Sequence, residues 1–345
     1  MSIDKREGMK KAKRESLLKI LADIQNIQIV VVGDLLLDRY VWGRVDRISP
    51  EAPVPVVEEV RREDRLGGAG NVVRNLTQLG AKPVVCGVVG DDVEGRSIFE
   101  LFEESGADTR SILIDKERPT VLKTRVVAHT QQVVRIDREL RDVIRPEFQG
   151  KLTQGLRQAL IDSKAVIVSD YGKGVVSPTL LESLGDMHRQ GEVGFATRPV
   201  FVDPHPANYA HYRYMSIGKP NKKEAEAAAR REIQSIDDAF SVADQLAAQW
   251  NAEVMVISLG EQGLIVLERD TEEALHLETM AQEVFDVSGA GDTVTAVYTA
   301  AIAVGAGVVN AGILANIAAG LVVSEVGTAA INRDRLLEAV EKWEE

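Results

Sequence analysis

The sequence is poor in cysteine, in aromatic residues and in long apolar runs, and it carries no excess of positive charge. Its one cysteine, Cys86, excludes an intrachain disulfide, and its five histidines show no metal-ligand spacing, so a structural zinc is not expected. No apolar run reaches the length of about 20 residues that a membrane span needs. The net charge of −12 argues against nucleic acid or an anionic membrane as a partner.

The N-terminal segment is charged and lacks the apolar stretch of a secretory signal, which favours a cytoplasmic protein. Residues 1–25 are predicted to be a polar extension that leads into a short amphipathic helix. The apolar face of this helix would be formed by Leu17, Leu18, Leu21 and Ile24.

The remaining residues, 26–345, are predicted to form one α/β unit. Residues 27–32 form an apolar run, interrupted only by Gln28, of the kind buried on both faces of a parallel sheet. From about residue 145 onwards, helical and strand patterns alternate. This alternation predicts a mostly parallel sheet with helices on both faces.

Two segments differ from that pattern, at about 39–66 and 119–138. Residues 41–60 contain Pro50, Pro53 and Pro55, which favour short β strands on an edge or a flap, because proline cannot donate to a central ladder. Residues 120–128 and 132–137 have the pattern of a hairpin with charges at alternate positions. The two segments are predicted to form a small β-sheet lid, although the periodicity is equally compatible with edge strands of the main sheet.

The most informative stretch is residues 286–292, which precede an apolar helical segment. Two glycines let the backbone turn tightly, and the first N–H groups of the helix form a site for an anion. Asp292 would repel a phosphate in a purely binding loop, but it is well placed to take a proton from an attacking hydroxyl. The spacing alone is equally compatible with Asp292 as a simple helix cap. A dinucleotide loop is excluded because Val294 stands where a third glycine is needed.

Other polar residues follow the predicted strands. Asp34 and Asp38 come after the first strand, where α/β sheets bind ligands, so they are candidates to bind hydroxyls, with turn or cap chemistry as the alternative. Asn71, after a glycine-rich helix start, can both donate to and accept from a sugar. Convergence of such residues along one sheet edge is better support for a site than any single motif.

Four motifs in order resemble those of the ribokinase-like (PfkB) sugar kinases, over about residues 26–340. The two family signatures are matched by residues 67–71 and 286–292, and the ATP-side motifs by Pro220-Asn221-x-x-Glu224 and Ser258-Leu259-Gly260-x-x-Gly263. The resemblance implies a ribokinase-like α/β fold, with a mostly parallel central sheet and a small β-sheet lid. It also implies transfer of a phosphoryl group from ATP, with Mg²⁺, to a sugar hydroxyl.

Within that family, residues 33–40, 47–56, 169–174 and 282–292 resemble the heptose 7-phosphate kinases. This resemblance implies phosphorylation of the C1 (anomeric) hydroxyl of D-glycero-β-D-manno-heptose 7-phosphate to the 1,7-bisphosphate, towards ADP-heptose for lipopolysaccharide core. Some members also carry an adenylyltransferase; this sequence shows no His-x-Gly-His motif and resembles the kinase half alone. The alternatives are another sugar or nucleoside kinase of this type, and a non-catalytic nucleotide or sugar sensor.

The resemblance also implies residue roles. Asp292 would be the general base, and the amides of Gly289, Ala290 and Gly291 would help to form the anion hole. The ATP-side residues would be Asn221, Glu224, Ser258, Gly260, Gly263 and Asn316, with Glu224 near Mg²⁺ through water. Asp34, Asp38, Gly67, Gly68 and Asn71 would hold the sugar, and the candidates for its 7-phosphate are Lys123, Arg125, Arg135 and Lys173.

The same resemblance implies a monovalent cation such as K⁺ near Asp286. A separate hypothesis is that the β segments of the lid pair between two subunits to form a homodimer. His205 stands where close relatives carry lysine, so one charge would be missing at neutral pH if that lysine contributes to a phosphate site.

Overall fold

A computed structural model of the chain describes residues 3–128, 131–269, 271, 273–280, 287–324 and 330–343. The strands are β1 Gln28–Gly33, β2 Leu35–Ile48, β3 Pro55–Gly68, β4 Lys82–Gly90, β5 Asp108–Asp115, β6 Val121–Ala128, β7 Gln131–Arg138, β8 Ala165–Ser169, β9 Val200–Asp203, β10 Ile217–Gly218, β11 Val254–Ser258, β12 Leu264–Glu268 and β13 Glu273–Leu277. The helices are α1 Ile3–Asp23, α2 Ala69–Gln78, α3 Val93–Ser105, α4 Pro146–Leu160, α5 Pro178–Arg189, α6 Lys222–Ala229, α7 Ile236–Trp250, α8 Ala290–Ala303, α9 Val308–Val323 and α10 Arg333–Lys342.

The main sheet has nine strands in the order β13-β12-β11-β10-β9-β8-β1-β4-β5. Its strands pair in parallel from β5 to β11, and β12 and β13 continue the sheet antiparallel. The chain runs from β1 to β4 on one side and returns to β8 on the other, so the strand order reverses beside β1. Ligands bind at such a switch point in open α/β sheets, outside the carboxyl ends of the strands.

Both faces of this sheet are buried, as the apolar runs predicted. Alternate residues of β1 point to opposite layers: Ile29 and Val31 belong to a core with α1, α2, α8, α9 and α10. Val30 and Val32 belong to a second core, with α4, α5 and α7. The mostly parallel sheet with helices on both faces is therefore confirmed.

The small sheet has the order β3-β2-β6-β7 and grows directly out of the end of β1. The antiparallel pair β2 and β3 is 14 residues long on each side, so the prediction of short strands over 41–60 was wrong. Pro50 and Pro53 lie between the two strands, and Pro55 is the first residue of β3, which is an edge strand. The prolines therefore mark the turn and the edge, and they do not limit the length of the strands.

Residues 3–23 form one helix, α1, where the sequence predicted a polar extension before a short helix. Leu17, Leu21 and Ile24 are fully buried in the core, and Arg14 donates to the carbonyl of Trp343, next to α10. Among the described residues, no helix combines the length and the apolar character that crossing a membrane requires.

Candidate active site

The start of α8 lies at the carboxyl edge of the main sheet. Gly289 is its N-cap residue with φ 88°, a left-handed conformation that suits glycine, and Ala290, Gly291 and Asp292 form the first turn. The N–H groups of a first turn are not used within the helix and attract negative charge. The structure therefore places the predicted anion hole and the predicted base on the same helical turn.

The Asp292 carboxylate does not cap the helix. Its Oδ2 accepts from Asn71 Nδ2 at 2.7 Å, and its Oδ1 accepts from the Tyr171 hydroxyl at 2.7 Å. The side chain is almost completely buried, and burial raises the pKa of Asp292 to about 6, against the lowering effect of the Asn71 hydrogen bond. A carboxylate with this pKa is ionised at neutral pH and is more basic than an ordinary aspartate, as a general base should be.

A buried cation, Lys219, lies beside the same turn. Its Nζ is 3.1 Å from Asp203 Oδ1 and 3.4 Å from the position that a Cβ on Gly291 would take. Burial alone would lower the pKa of Lys219, but the carboxylates of Asp203, Glu224 and Asp292 raise it above its usual value. The side chain is therefore a fixed positive charge at the helix N-terminus, where charge on a transferred phosphoryl group would develop.

The predicted ATP-side residues come together next to Lys219. Asn221 and Glu224 form a capping box at the start of α6, in which each side chain accepts from the backbone N–H of the other. Asn221 also pairs with Ser258, at the end of β11. Burial, followed by the charge of Asp203, raises the pKa of Glu224. Both residues thus have a structural role and lie at the edge where the phosphates of ATP are predicted.

The other predicted nucleotide residues lie further along this edge. Gly260 and Gly263 belong to the turn between β11 and β12. Asn316, on α9, donates to the carbonyl of Glu278 at 2.7 Å and so fixes the chain after β13. Its proximity to an adenine remains a prediction.

The predicted sugar side faces Asp292 from the lid and from α2. Asp38 is buried and pairs with Arg125, and a Cβ on Gly67 would overlap the Asp38 carboxylate, so this close approach requires glycine. Gly68 is the N-cap residue of α2. Asn71 is fully buried, and its Oδ1 has no hydrogen-bond partner among the described residues. A buried acceptor without a partner, next to the base, is suited to a ligand hydroxyl.

Asp34 is engaged by the protein itself. Its Oδ2 accepts from the backbone N–H groups of Tyr171 and Lys173, and its Oδ1 accepts from that of Val175. The side chain is fully buried. These contacts give Asp34 the turn chemistry that was the alternative, and its predicted role in binding sugar hydroxyls stays a prediction.

The four cations proposed for a sugar phosphate have different environments. Arg125 is paired with Asp38, Lys173 with Glu139 at 2.7 Å, and Arg135 with Asp137, a neighbour on the exposed strand β7. Lys123 forms no salt bridge with a carboxylate in the part of the chain that the structure describes, and its Nζ lies 5.9 Å from the centre of the Tyr171 ring. Lys123 therefore differs from the other three cations, each of which has a carboxylate partner.

His205, which stands where the resemblance implied a lysine, does not supply a positive charge at neutral pH. Its Nδ1 accepts from the N–H of Ala207, and its ring lies against Gly172. Burial lowers the pKa of His205 below its usual value, so the ring is neutral at pH 7.

The chain matches the model of the pfkB family carbohydrate kinases over residues 26–335. The chain belongs to this family. Two relatives are called bifunctional protein HldE. The one from Pelobacter propionicus is 41% identical over 327 residues, which are 95% of this chain and 66% of the relative. The one from Geobacter metallireducens is 42% identical over 319 residues, 92% of this chain and 64% of the relative. The chain thus spans about two thirds of their length.

Solved structures of other carbohydrate kinases have the same fold. Arabidopsis thaliana ribokinase, complexed with ribose and ATP, aligns with a TM-score of 0.72 at 17% identity and covers 92% of this chain and 99% of its own. Phosphofructokinase-2 from Escherichia coli, in complex with potassium, aligns with a TM-score of 0.74 at 20% identity and the same coverage. The ribokinase-like fold is therefore confirmed. Membership of the pfkB family carbohydrate kinases makes the protein a phosphotransferase that acts on a sugar hydroxyl.

The sequence motifs of this pfkB kinase did not single out Tyr171, Asp203 or Lys219 as site residues. Tyr171 lies shortly after β8, Asp203 is the last residue of β9, and Lys219 directly follows β10. Their positions at the ends of strands are the sequence signal that could have identified them. Asp286, near which a monovalent cation was expected, lies outside the described residues.

Proposed function

We propose that this pfkB kinase phosphorylates the C1 hydroxyl of D-glycero-β-D-manno-heptose 7-phosphate to the 1,7-bisphosphate, using ATP and Mg²⁺, on the route to ADP-heptose and lipopolysaccharide core. The observation that carries the proposal is the buried Asp292 carboxylate on the first turn of α8, next to Lys219 and facing a lid with an available cation. The motifs shared with heptose 7-phosphate kinases and the identity of about 40% to proteins called HldE favour the heptose.

The transfer step needs a base, an anion hole and an in-line arrangement. Asp292 takes the proton of the C1 hydroxyl while the oxygen of that hydroxyl attacks the γ-phosphorus of ATP. The bond from this phosphorus to the β,γ-bridging oxygen breaks, and ADP leaves. The N–H groups at the start of α8 and the Lys219 ammonium stabilise the charge on the transferred group.

The residues present also fit ATP with Mg²⁺. The described residues contain no group of three or more His, Cys, Asp or Glu side chains that could hold a metal by themselves. Mg²⁺ bound to a nucleotide keeps several waters and uses the phosphates and one or two carboxylates, and it neutralises phosphate charge during transfer. Glu224, beside Lys219 and Asp203, is the carboxylate that would approach it through water.

We assign the recognition of the 7-phosphate first to Lys123. Burial lowers the pKa of Lys123, while the nearby Asp38 carboxylate opposes this effect. A dianionic phosphate in the cleft would compensate for the hydration that the buried ammonium has lost, and it would stabilise the charged form of Lys123. Arg125 and Lys173 would contribute only by exchanging their present carboxylate partners, and Arg135 lies on the exposed strand β7.

The test is ATP-dependent phosphorylation followed by ³¹P NMR, with heptose 7-phosphate, fructose 6-phosphate and ribose compared side by side. We expect a new anomeric phosphate doublet with the heptose alone. Turnover of another sugar instead would be consistent with the kinase fold and with Asp292 as the base, but it would contradict heptose 7-phosphate as the substrate. ATP binding without turnover of any sugar would favour a nucleotide or sugar sensor.

The same assay distinguishes the cations. Lys123→Met should raise the KM for the sugar phosphate by about 10-fold or more, since a charge-assisted hydrogen bond in a cleft contributes roughly 1.5–3 kcal/mol. The control is Arg135→Met, which removes an exposed cation from the same small sheet. Equal effects of the two substitutions would contradict the assignment of Lys123.

We also propose that the protein forms a homodimer through the lid. β3 and β7 are the edge strands of the small sheet, and the lid exposes Ile48, Val60, Val134 and Ile136. Exposed edges and apolar residues of this kind favour pairing with another chain. Light scattering at micromolar concentration should give twice the mass of the chain, and a monomer would contradict the proposal.

A further inference from the structure

Tyr171 connects three parts of the cleft. Its hydroxyl donates to Asp292 Oδ1 at 2.7 Å, and its backbone N–H donates to Asp34 Oδ2 at 2.9 Å. Its ring lies 5.9 Å below the ammonium of Lys123, on the lid.

The position of Tyr171 is fixed by its backbone. The buried Asp34 carboxylate accepts from the N–H groups of Tyr171, Lys173 and Val175, so the loop after β8 is wrapped around the end of β1. Arg118 reinforces this loop by donating to the carbonyl of Lys173. Because the loop already fixes its position, Tyr171 can hold a second side chain in place without a further loss of conformational entropy during the reaction.

We propose that Tyr171 is a positioning residue for phosphoryl transfer, whose hydroxyl fixes the Asp292 carboxylate in the orientation of the base. This inference rests on the proposed role of Asp292. Asn71 holds Oδ2 from α2 and Tyr171 holds Oδ1 from the loop after β8, so the two donors together prevent rotation of the carboxylate. Rotation by a fraction of a turn would move the accepting lone pair away from the sugar hydroxyl.

The charged surroundings predict how loss of the hydroxyl would change the base. Asp292 faces Asp203 and Lys219 as well as Tyr171, and Tyr171 in turn faces Asp38 and Lys123. Burial and the charge of Asp292 raise the pKa of Tyr171 well above its usual value, so the phenol remains a donor throughout the neutral range. A hydrogen bond to the ionised carboxylate lowers the pKa of Asp292, and its removal should therefore raise this pKa.

The experiment uses Tyr171→Phe in the full chain. We expect kcat to fall by about 10-fold, with KM for ATP and sugar changed by less than about 3-fold, because the lost contact is made to the base and not to a substrate. The acidic limb of the pH profile of kcat/KM should move up by roughly one pH unit. A raised sugar KM with an unchanged pH profile would overturn the proposal and make Tyr171 a sugar-binding residue.

The matched control is Tyr209→Phe, which removes a buried hydroxyl that has no hydrogen-bond partner among the described residues. This control should retain the wild-type kcat and pH profile. If Tyr171→Phe unfolds, 3-fluorotyrosine at position 171 keeps the packing and is a stronger donor, so it should move the acidic limb to lower pH. An unchanged limb with that residue would overturn the proposal.

A second measurement separates this inference from the proposed function. ¹³C NMR of protein labelled at the aspartate carboxyl carbon reports the Asp292 titration directly, and the signal is assigned by its loss in Asp292→Asn. A higher Asp292 pKa in Tyr171→Phe supports the inference even if no sugar is turned over, and an unchanged pKa overturns it. Absence of wild-type turnover with every sugar, in contrast, counts against the proposed function alone.

Discussion

Asp292→Asn is expected to lower kcat by about 10²–10⁴-fold, because this is the usual contribution of a general base. The amide keeps the size of the carboxylate and can still accept from Asn71, so the fold and the binding of ATP should persist. The control is Asp244→Asn, an identical change at an exposed position on α7. Turnover of Asp292→Asn near the wild-type value would remove Asp292 from the mechanism.

The same substitution should stabilise the protein at alkaline pH. The pKa of Asp292 is raised from 3.8 to about 6, so the folded state binds a proton more tightly than the unfolded state. The free energy of unfolding of the wild type therefore falls as the pH rises from about 4 to about 6. At pH 8 the asparagine variant should be more stable by up to about 3 kcal/mol, and the difference should vanish near pH 4. Denaturant unfolding at both pH values measures this, and an equal difference at pH 4 and pH 8 would contradict it.

The layout of the main sheet could be predicted because its signals are local. Residues 29–32 and 165–168 are apolar at every position, and such runs occur in strands covered on both faces. Polar residues directly follow them, and in a parallel sheet these polar ends share one edge. The structure confirms this arrangement through the registers that align Gly33 with Ser169 and Ser169 with Asp203.

The contacts inside the site could not be predicted because they depend on which strands are neighbours. Asp34 and Tyr171 are 137 residues apart and meet only because β8 lies next to β1. Nothing near Asp34 in the sequence shows that three backbone N–H groups of a distant loop will use its carboxylate.

Lys219 is a site residue that the sequence motifs did not identify, for the same reason. It precedes Pro220 and Asn221 in a motif that drew attention to the asparagine, and its ammonium pairs with Asp203, at the end of β9. The contact requires β9 and β10 to be adjacent, with Val202 opposite Gly218. A lysine after a strand is usually a surface residue, so its burial beside α8 is information that comes only from the assembled sheet.

Lys219→Met is expected to lower kcat by about 10²–10³-fold, the usual effect of removing one group that stabilises charge in the transition state. The reason is the position of the ammonium, 3.4 Å from the place of a Cβ on Gly291, where it supplements the N–H groups at the start of α8. The control is Lys223→Met, which removes an exposed lysine from the neighbouring helix α6. That variant should keep the wild-type kcat.

The substitution also leaves Asp203 without its cation, so a loss of activity could arise from a weakened fold. The double variant Lys219→Met/Asp203→Asn separates the two causes, because the amide removes the unpaired charge and can still accept from Thr295. We expect the double variant to recover most of the lost stability in thermal unfolding while its kcat stays low. Recovery of kcat together with stability would show that Lys219 acts only through the fold, and would contradict its role in stabilising the transferred phosphoryl group.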